Sequence, residues 1–247
     1  MGRMLEIWRY PVKSVLGERL EAVAIGLDGV AGDRRYAVAD RDTGAVLTAK
    51  RHPRLLECRA ETVGTEVVLW FPDGAREPVR SDAAGELLSD LLGRYVEVVT
   101  ADDVRRDAPH RGWRPPAGPG ASLVDDAPVH VLTVSELAAG RALHDTGEWR
   151  PERFRPNLVV EDRPGDRLGA CDALAVGGAV LERSRPCERC VMVSHAQPGL
   201  ARDRDILGTI VRSWNAQFGL YLDCTTAGRV GTGESVRRRA GAGAGRS

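Results

Sequence analysis

Arg183-Ser184-Arg185-Pro186-Cys187-Glu188-Arg189-Cys190-Val191-Met192 is the stretch from which the rest of the chain is best read. Two thiols stand three residues apart among three arginines, ahead of an apolar run. A thiolate, not a thiol, attacks electrophiles and binds metals, and a neighbouring cation such as Arg189 favours the ionised form. Cys190 is therefore the candidate for the chemistry. Gly177 to Glu182 reads as an apolar strand, and Arg185-Pro186 as the point where the chain turns out of it. The sulfurs are expected in a loop that a ligand can reach.

Working outward, 247 residues suffice for one large or two small domains, and 43% hydrophobic content allows a substantial core. Lys plus Arg number 35 and Asp plus Glu number 35, so no overall field draws the chain to nucleic acid or to an anionic membrane. An anion must then be held by a local pocket. No apolar run approaches the roughly 18 residues of a membrane span, and Met1 to Tyr10 carries charge where a signal peptide needs an apolar region. A cytoplasmic location is expected. Five cysteines (58, 171, 187, 190 and 224) are too sparse and odd in number for a disulfide framework and read as reduced thiols.

Met4 to Trp8 and Leu20 to Ile25 read as short strands flanking a loop, Tyr10-Pro-Val-Lys-Ser14. Its Lys13 offers a point charge and Ser14 a hydroxyl, a pairing suited to phosphate, although surface charge is the blander reading. The turn-rich Gly26 to Asp33 delivers Arg34 and Arg35 ahead of an apolar strand, Tyr36 to Asp40. Asp42-Thr-Gly44 reads as a hairpin turn into Val46 to Thr48. Lys50, Arg51 and Arg54 form a second basic loop. Glu66 to Trp70 is a strand, Ser81-Asp82 caps a helix that presents Leu87, Leu88, Leu91 and Leu92 and stops at Gly93, and Val96 to Val99 is a further strand. Residues 101–126 lose all periodicity to charge, proline and glycine and read as a linker or lid.

Val129 to Leu132 then reads as a strand, and Thr133-Val-Ser-Glu136 has capping-box spacing for a following helix. In Arg153-Phe-Arg-Pro-Asn157, Pro156 favours an extended Arg155, which places Arg155 and Asn157 at the mouth of a strand, Leu158 to Val160. Arginine supplies a forked donor for phosphate or oxo groups, and asparagine both donates and accepts. Ala173 to Val176 and Ala179 to Leu181 make a hairpin, Asp203 to Phe218 a helix, Gly219 to Cys224 a strand and Gly231 to Val236 a last one, before a basic tail from Arg237. Many short strands with few helices predict a mainly β, β-barrel architecture with added helices.

Structural zinc needs four Cys or His ligands, and only one Cys-x-x-Cys exists here, with His195 and isolated Cys171 or Cys224 as partners. A thioredoxin-like pair belongs at a helix start, whereas Val191 to Ser194 reads as β. Cys58, Cys171 and Cys224 read as plain buried thiols. His195 has an unperturbed pKa near neutrality and is a candidate proton donor, though a lone histidine is more often just hydrogen-bonded or exposed.

Tyr10-Pro-Val-Lys-Ser14, Gly32-Asp-Arg34, Thr48-Ala-Lys50 with Pro53-Arg-Leu55, Phe154-Arg-Pro-Asn157, Arg189-Cys190 and Phe218-Gly-Leu-Tyr221 occur in this order. In that ordered set the chain resembles MOSC-domain proteins with an N-terminal MOSC β-barrel domain, a group that includes the mitochondrial amidoxime-reducing component and bacterial relatives. The resemblance implies an N-terminal barrel domain over 1–100, a linker or lid over 101–126, a MOSC domain over 127–238 and a disordered tail over 239–247. It also implies a molybdenum cofactor, with no pyridoxal phosphate. Cys190 rather than Cys187 falls on the metal-ligand position, and Lys13, Ser14, Arg34, Arg155, Asn157 and Arg189 fall on cofactor-contact positions. The implied activity is molybdenum-dependent reduction of N-hydroxylated or N-oxygenated small molecules. Electrons would come from a separate ferredoxin, flavoprotein or cytochrome-type partner, and the alternative is a carrier of persulfide sulfur or of the cofactor. After the cysteine, Val193-Ser-His-Ala-Gln-Pro198 departs from the Thr-containing run ending in Asp-Pro that relatives often have.

Overall fold

The computed structural model describes residues 2–110, 114, 121–162 and 172–239. Residues 111–113 and 115–120 of the linker, 163–171 with Cys171, and the tail from 240 onward lie outside the described residues. The N-terminal part forms β1 (Met4–Arg9), β2 (Glu18–Leu20), β3 (Ala22–Gly26), β4 (Gly29–Val30), β5 (Tyr36–Asp40), β6 (Arg59–Val63), β7 (Glu66–Trp70), β8 (Arg76–Pro78), α1 (Asp82–Leu92) and β9 (Val96–Thr100). The second part forms β10 (Val129–Thr133), α2 (Val134–Leu143), α3 (Pro151–Phe154), β11 (Leu158–Val160), β12 (Ala173–Val176), β13 (Ala179–Glu188), α4 (Arg204–Trp214), β14 (Gln217–Thr226), β15 (Gly228–Gly231) and β16 (Val236–Arg239). The chain is mainly β, with helices added.

Capping chemistry places the helices where the residues predict. Ser81 accepts from the Ala84 N–H at 3.1 Å, and Gly93 ends α1 at φ 63°, where a side chain would be strained. Thr133 and Glu136 form the reciprocal capping box of α2, with Thr133 N–H donating to Glu136 Oε2 at 2.9 Å.

Eight strands form one sheet in the order β16-β12-β13-β14-β10-β11-β1-β2, antiparallel except for the β10–β11 pair. The sheet is not a closed ring. β16 approaches the start of β1 only through the Arg3–Ser235 bridge and backbone bonds such as Val236 N–H to Gly2 O at 3.0 Å. β15-β3-β4, β5-β9 and β6-β7-β8 are separate small sheets.

Core membership cuts across the sequence order. Met4, Ile7 and Ile25 from the first strands are buried with Val131, Leu158, Leu181, Leu222 and Val230 in one core. Val12, Leu47, Leu55, Leu69, Leu88 and Val96 make a second core, with Met192 packed against it. A third unites Trp149, Phe154, Ile206, Ile210 and Phe218 beneath α2 and α4. Loops that leave these cores meet between them, and that is where the site lies. Among the described residues no helix is long and apolar enough to cross a membrane.

Four local expectations are corrected. β13 does not end at Leu181 but continues through Arg185 and Pro186 to Glu188. Beyond Glu182 it is paired with β14 alone, and irregular register on either side of Pro186 spares the missing N–H a ladder partner. Val191–Ser194 is a 3-10 turn rather than β. α4 stops at Trp214 because Asn215 and Ala216 take left-handed φ values of 51° and 64°, which puts Phe218 in β14. The basic residues from Arg237 to Arg239 belong to β16, paired with β12, instead of starting a tail.

Candidate functional site

Tyr10 organises the first wall of the site. Its ring is buried, its hydroxyl donates to Pro156 O at 3.1 Å, and its N–H donates to Asp33 Oδ1 at 2.8 Å. The guanidinium of Arg34 lies 4.8 Å from the ring centroid and that of Arg155 lies 4.3 Å from it, both within cation–π range. One aromatic side chain thus gathers two arginines that are 121 positions apart in sequence.

Arg155 is not extended, as the following proline suggested, but left-handed at φ 56° and ψ 48°. It closes α3, with its N–H reaching Pro151 O at 3.1 Å and its guanidinium donating to Val15 O at 2.7 Å. Helix closure and the Tyr10 stack together outweigh the preference set by Pro156. Ser14 at φ 66° and Arg34 at φ 48° share this strained conformation. With Asn215 and Ala216, these are the described non-glycine residues at positive φ, and Ala216 O accepts the Arg189 N–H at 2.7 Å. Strain of roughly 1–3 kcal/mol per residue is therefore concentrated around one place.

That place is a cleft lined by Lys13, Ser14, Arg34, Arg155, Asn157, Arg189 and Cys190, seven positions singled out from the sequence. Six cationic side chains (Lys13, Arg34, Lys50, Arg153, Arg155, Arg189) face three carboxylates (Asp125, Asp126, Glu188), in a chain with equal numbers of each sign overall. Burial, opposed by Asp125, lowers the Lys13 pKa to about 8, and burial together with Arg34 lowers that of Arg155 to about 10. Arg153 is spent on backbone: it donates to Glu148 O, Val193 O, His195 O and Ala201 O, which ties down the segment after Cys190.

The two thiols of the opening stretch have different surroundings. Cys190 is half-buried and borders the cleft. Cys187 is fully buried, and Arg189 donates to its Sγ at 2.9 Å. The Arg189 guanidinium is thus aimed at Cys187 rather than, as the sequence suggested, at Cys190. Its second terminal nitrogen donates to Phe154 O at 2.6 Å, while its Nε is buried with no protein partner. His195 stands apart from the cleft lining, against the Lys50 backbone, with burial lowering its pKa. Among the described residues no three His, Cys, Asp or Glu side chains form a metal-holding group, which leaves the zinc alternative without a ligand set there. Burial pushes the Cys58 thiol up to about 12 and raises that of Cys224, as for inert core thiols.

His130, Asp125, Lys50 and Tyr221 also line the cleft, and sequence reasoning did not assign them to the site. His130 sits on a strand with buried residues throughout, where a lone histidine carries no spacing signal. Tyr10 was quoted with its motif but given no role.

The MOSC domain model matches residues 119–237 and the MOSC N-terminal beta barrel domain model residues 1–86. The chain is a MOSC-domain protein that also carries the MOSC N-terminal beta barrel domain. It is 26% identical over 89% of its length to molybdenum cofactor sulfurase of Drosophila grimshawi, of which it spans 32%. It is 22% identical over 96% of its length to mitochondrial amidoxime reducing component 2 of Rattus norvegicus, spanning 83% of that protein. Among solved structures, the YuaD protein of Bacillus subtilis shares the fold at TM-score 0.50 and 11% identity, with 95% of this chain and 93% of that one covered.

The donor set fits a molybdenum cofactor. An anionic phosphate needs clustered cations, a pterin edge needs groups that both donate and accept, and a soft metal needs a reachable thiolate. The cationic surplus, Asn157 and half-buried Cys190 meet those needs in one cleft, and the orphaned Arg189 Nε is a donor still to be used.

Proposed function

We propose that the chain holds a molybdenum cofactor and reduces N-hydroxylated or related N-oxygenated small molecules, with electrons from a separate ferredoxin, flavoprotein or cytochrome-type protein. The observation that carries this reading is the convergence of Lys13, Ser14, Arg34, Arg155, Asn157, Arg189 and Cys190 from separate loops onto one cleft. Similarity over most of both chains to an amidoxime reducing component supports the choice of substrate class.

Lys13, Arg34 and Arg155 would hold the phosphate, because all three are cations lining the cleft, Lys13 and Arg155 are buried, and the carboxylates on Lys13 and Arg34, Asp125 and Asp33, leave a net positive charge there. Asn157 would bind the pterin edge, and the Cys190 thiolate would hold the metal. Once bound, the cofactor would supply the redox chemistry, as cofactors do. The chain's own contribution is to bind, orient and neutralise, and the net change would be substrate-NOH plus two electrons and two protons giving substrate-NH and water.

Metal analysis beside a Cys190→Ser variant tests the reading. Wild type should carry molybdenum near one per chain and the variant almost none, with both folded. Fully loaded protein that leaves amidoximes untouched when given a reduced viologen would count against the activity. Similarity to cofactor sulfurases over 89% of this chain favours a second reading, in which Cys190 carries sulfur without turnover. An added sulfur on Cys190 that dithiothreitol removes, without metal, would select it.

A further inference from the structure

His130 touches three of the motifs that build the cleft. Its N–H donates to Asn157 Oδ1 at 3.1 Å, and its C=O accepts the Asn157 N–H at 2.7 Å. The imidazole Nδ1 lies 3.3 Å from Arg155 O, and since a carbonyl only accepts, that nitrogen carries the proton. Nε2 then keeps its lone pair, and it faces the Arg189 Nη1 donor at 3.5 Å. Asn157 in turn accepts from Arg34 at 3.4 Å, so one side chain lies between the phosphate wall and the strand end bearing Arg189 and Cys190. Gly219 is the glycine this requires: a Cβ there would stand 2.4 Å from His130 Nε2.

We infer that His130 is a positioning residue that locks the Arg189 guanidinium and the Arg155 backbone in mutual register through the two nitrogens of its imidazole, so that both sides of the cleft meet the ligand together. This rests on the cofactor reading for what the ligand is, but not for the register itself. The hydrogen bonds of His130 run to Asn157, Arg155 and Arg189 and not to Cys190, so its role here is positional.

Three variants of the full chain separate a register role from mere packing. His130→Phe keeps the ring volume and loses both nitrogens. His130→Asn keeps a donor near the Nδ1 position, and His130→Gln can place an oxygen near Nε2, toward Arg189. Two readouts apply: molybdenum per chain in the purified protein, and the rate at which iodoacetamide alkylates Cys187 in the metal-free protein, followed by peptide mass spectrometry. His130→Phe should retain at least tenfold less molybdenum and expose Cys187 at least tenfold faster, as Arg189 is released from it. His130→Gln, which restores only the acceptor toward Arg189, should bring Cys187 alkylation to within threefold of wild type and leave molybdenum between wild type and His130→Phe, whereas His130→Asn should leave Cys187 as exposed as His130→Phe does, replacing that variant if it does not fold. Wild-type behaviour of both His130→Phe and His130→Asn, or a His130→Gln variant as impaired as they are, overturns the inference. Wild type without molybdenum, with the alkylation pattern intact, would defeat the cofactor reading and leave the register role standing.

Discussion

Lys13 Nζ is bonded to the carboxylate of Asp125, 112 positions away, and donates to Leu123 O at 2.9 Å. The segment that the sequence marks as linker or lid thus supplies an anion of its own to the cationic cleft. With Asp125 in place the cleft encloses about 120 Å³, below the roughly 300–1,000 Å³ of small-molecule sites. A ligand phosphate drawn to Lys13 would compete with Asp125 for its ammonium. Asp125→Asn should therefore lower the stability of the metal-free protein by about 1–3 kcal/mol, since a buried ammonium loses its partner. The same change should enlarge the rise in Tm that inorganic phosphate produces at pH 6.5. A phosphate-induced shift equal to or smaller than wild type's would show that Asp125 does not compete for the site.

How much of this could be read beforehand depended on the range over which each signal acts. Caps and alternating strands are local, so α1, the capping box of α2 and most strands follow from neighbours in sequence. The individual basic loops were visible too, and their ordered resemblance grouped them. What no local rule supplies is Arg155 in a left-handed conformation before a proline, which arises from helix closure and from stacking on Tyr10. Nor does local sequence show that Arg189 turns toward Cys187, because that depends on His130 and Phe154 in other elements.

The pH dependence of stability carries a signature of His130. Burial first, and then the Arg189 charge, lowers its pKa to about 3, from the ordinary 6.5. The unfolded chain therefore takes up this proton before the folded one does. The stabilisation from a neutral His130 is complete above about pH 6.5 and is lost as pH falls toward 3, at about 1.4 kcal/mol per unit. Urea unfolding of wild type and His130→Gln between pH 6 and pH 4 should give curves whose slopes differ by about that amount. Parallel curves would mean that the imidazole titrates freely in the fold.

Ser14 at φ 66° holds strain that glycine would not. Ser14→Gly should stabilise the metal-free protein by about 0.5–1 kcal/mol, the gain from relieved strain being partly offset by a more flexible unfolded chain. It should at the same time retain less molybdenum, because the hydroxyl bordering the cleft is gone. Chemical denaturation paired with metal analysis reads both quantities, and a variant that is less stable would remove the case for stored strain at this position.

Tyr10 makes the sharpest separation between aromatic face and hydroxyl. Each cation over its ring is worth about 0.5–2 kcal/mol, depending on how far it is desolvated, and both Arg34 and Arg155 are held there. The hydroxyl contributes one bond, to Pro156 O, with a net value of about 1 kcal/mol. Tyr10→Phe should then lose only that amount and still retain molybdenum. Tyr10→Leu forfeits both stacks and leaves two like charges side by side, so phosphate affinity and molybdenum content should collapse together while the core residues Val12 and Val15 keep the loop folded. Calorimetry with inorganic phosphate, run on both variants, decides the matter: if Tyr10→Leu binds phosphate as Tyr10→Phe does, the arginines find their places without the ring.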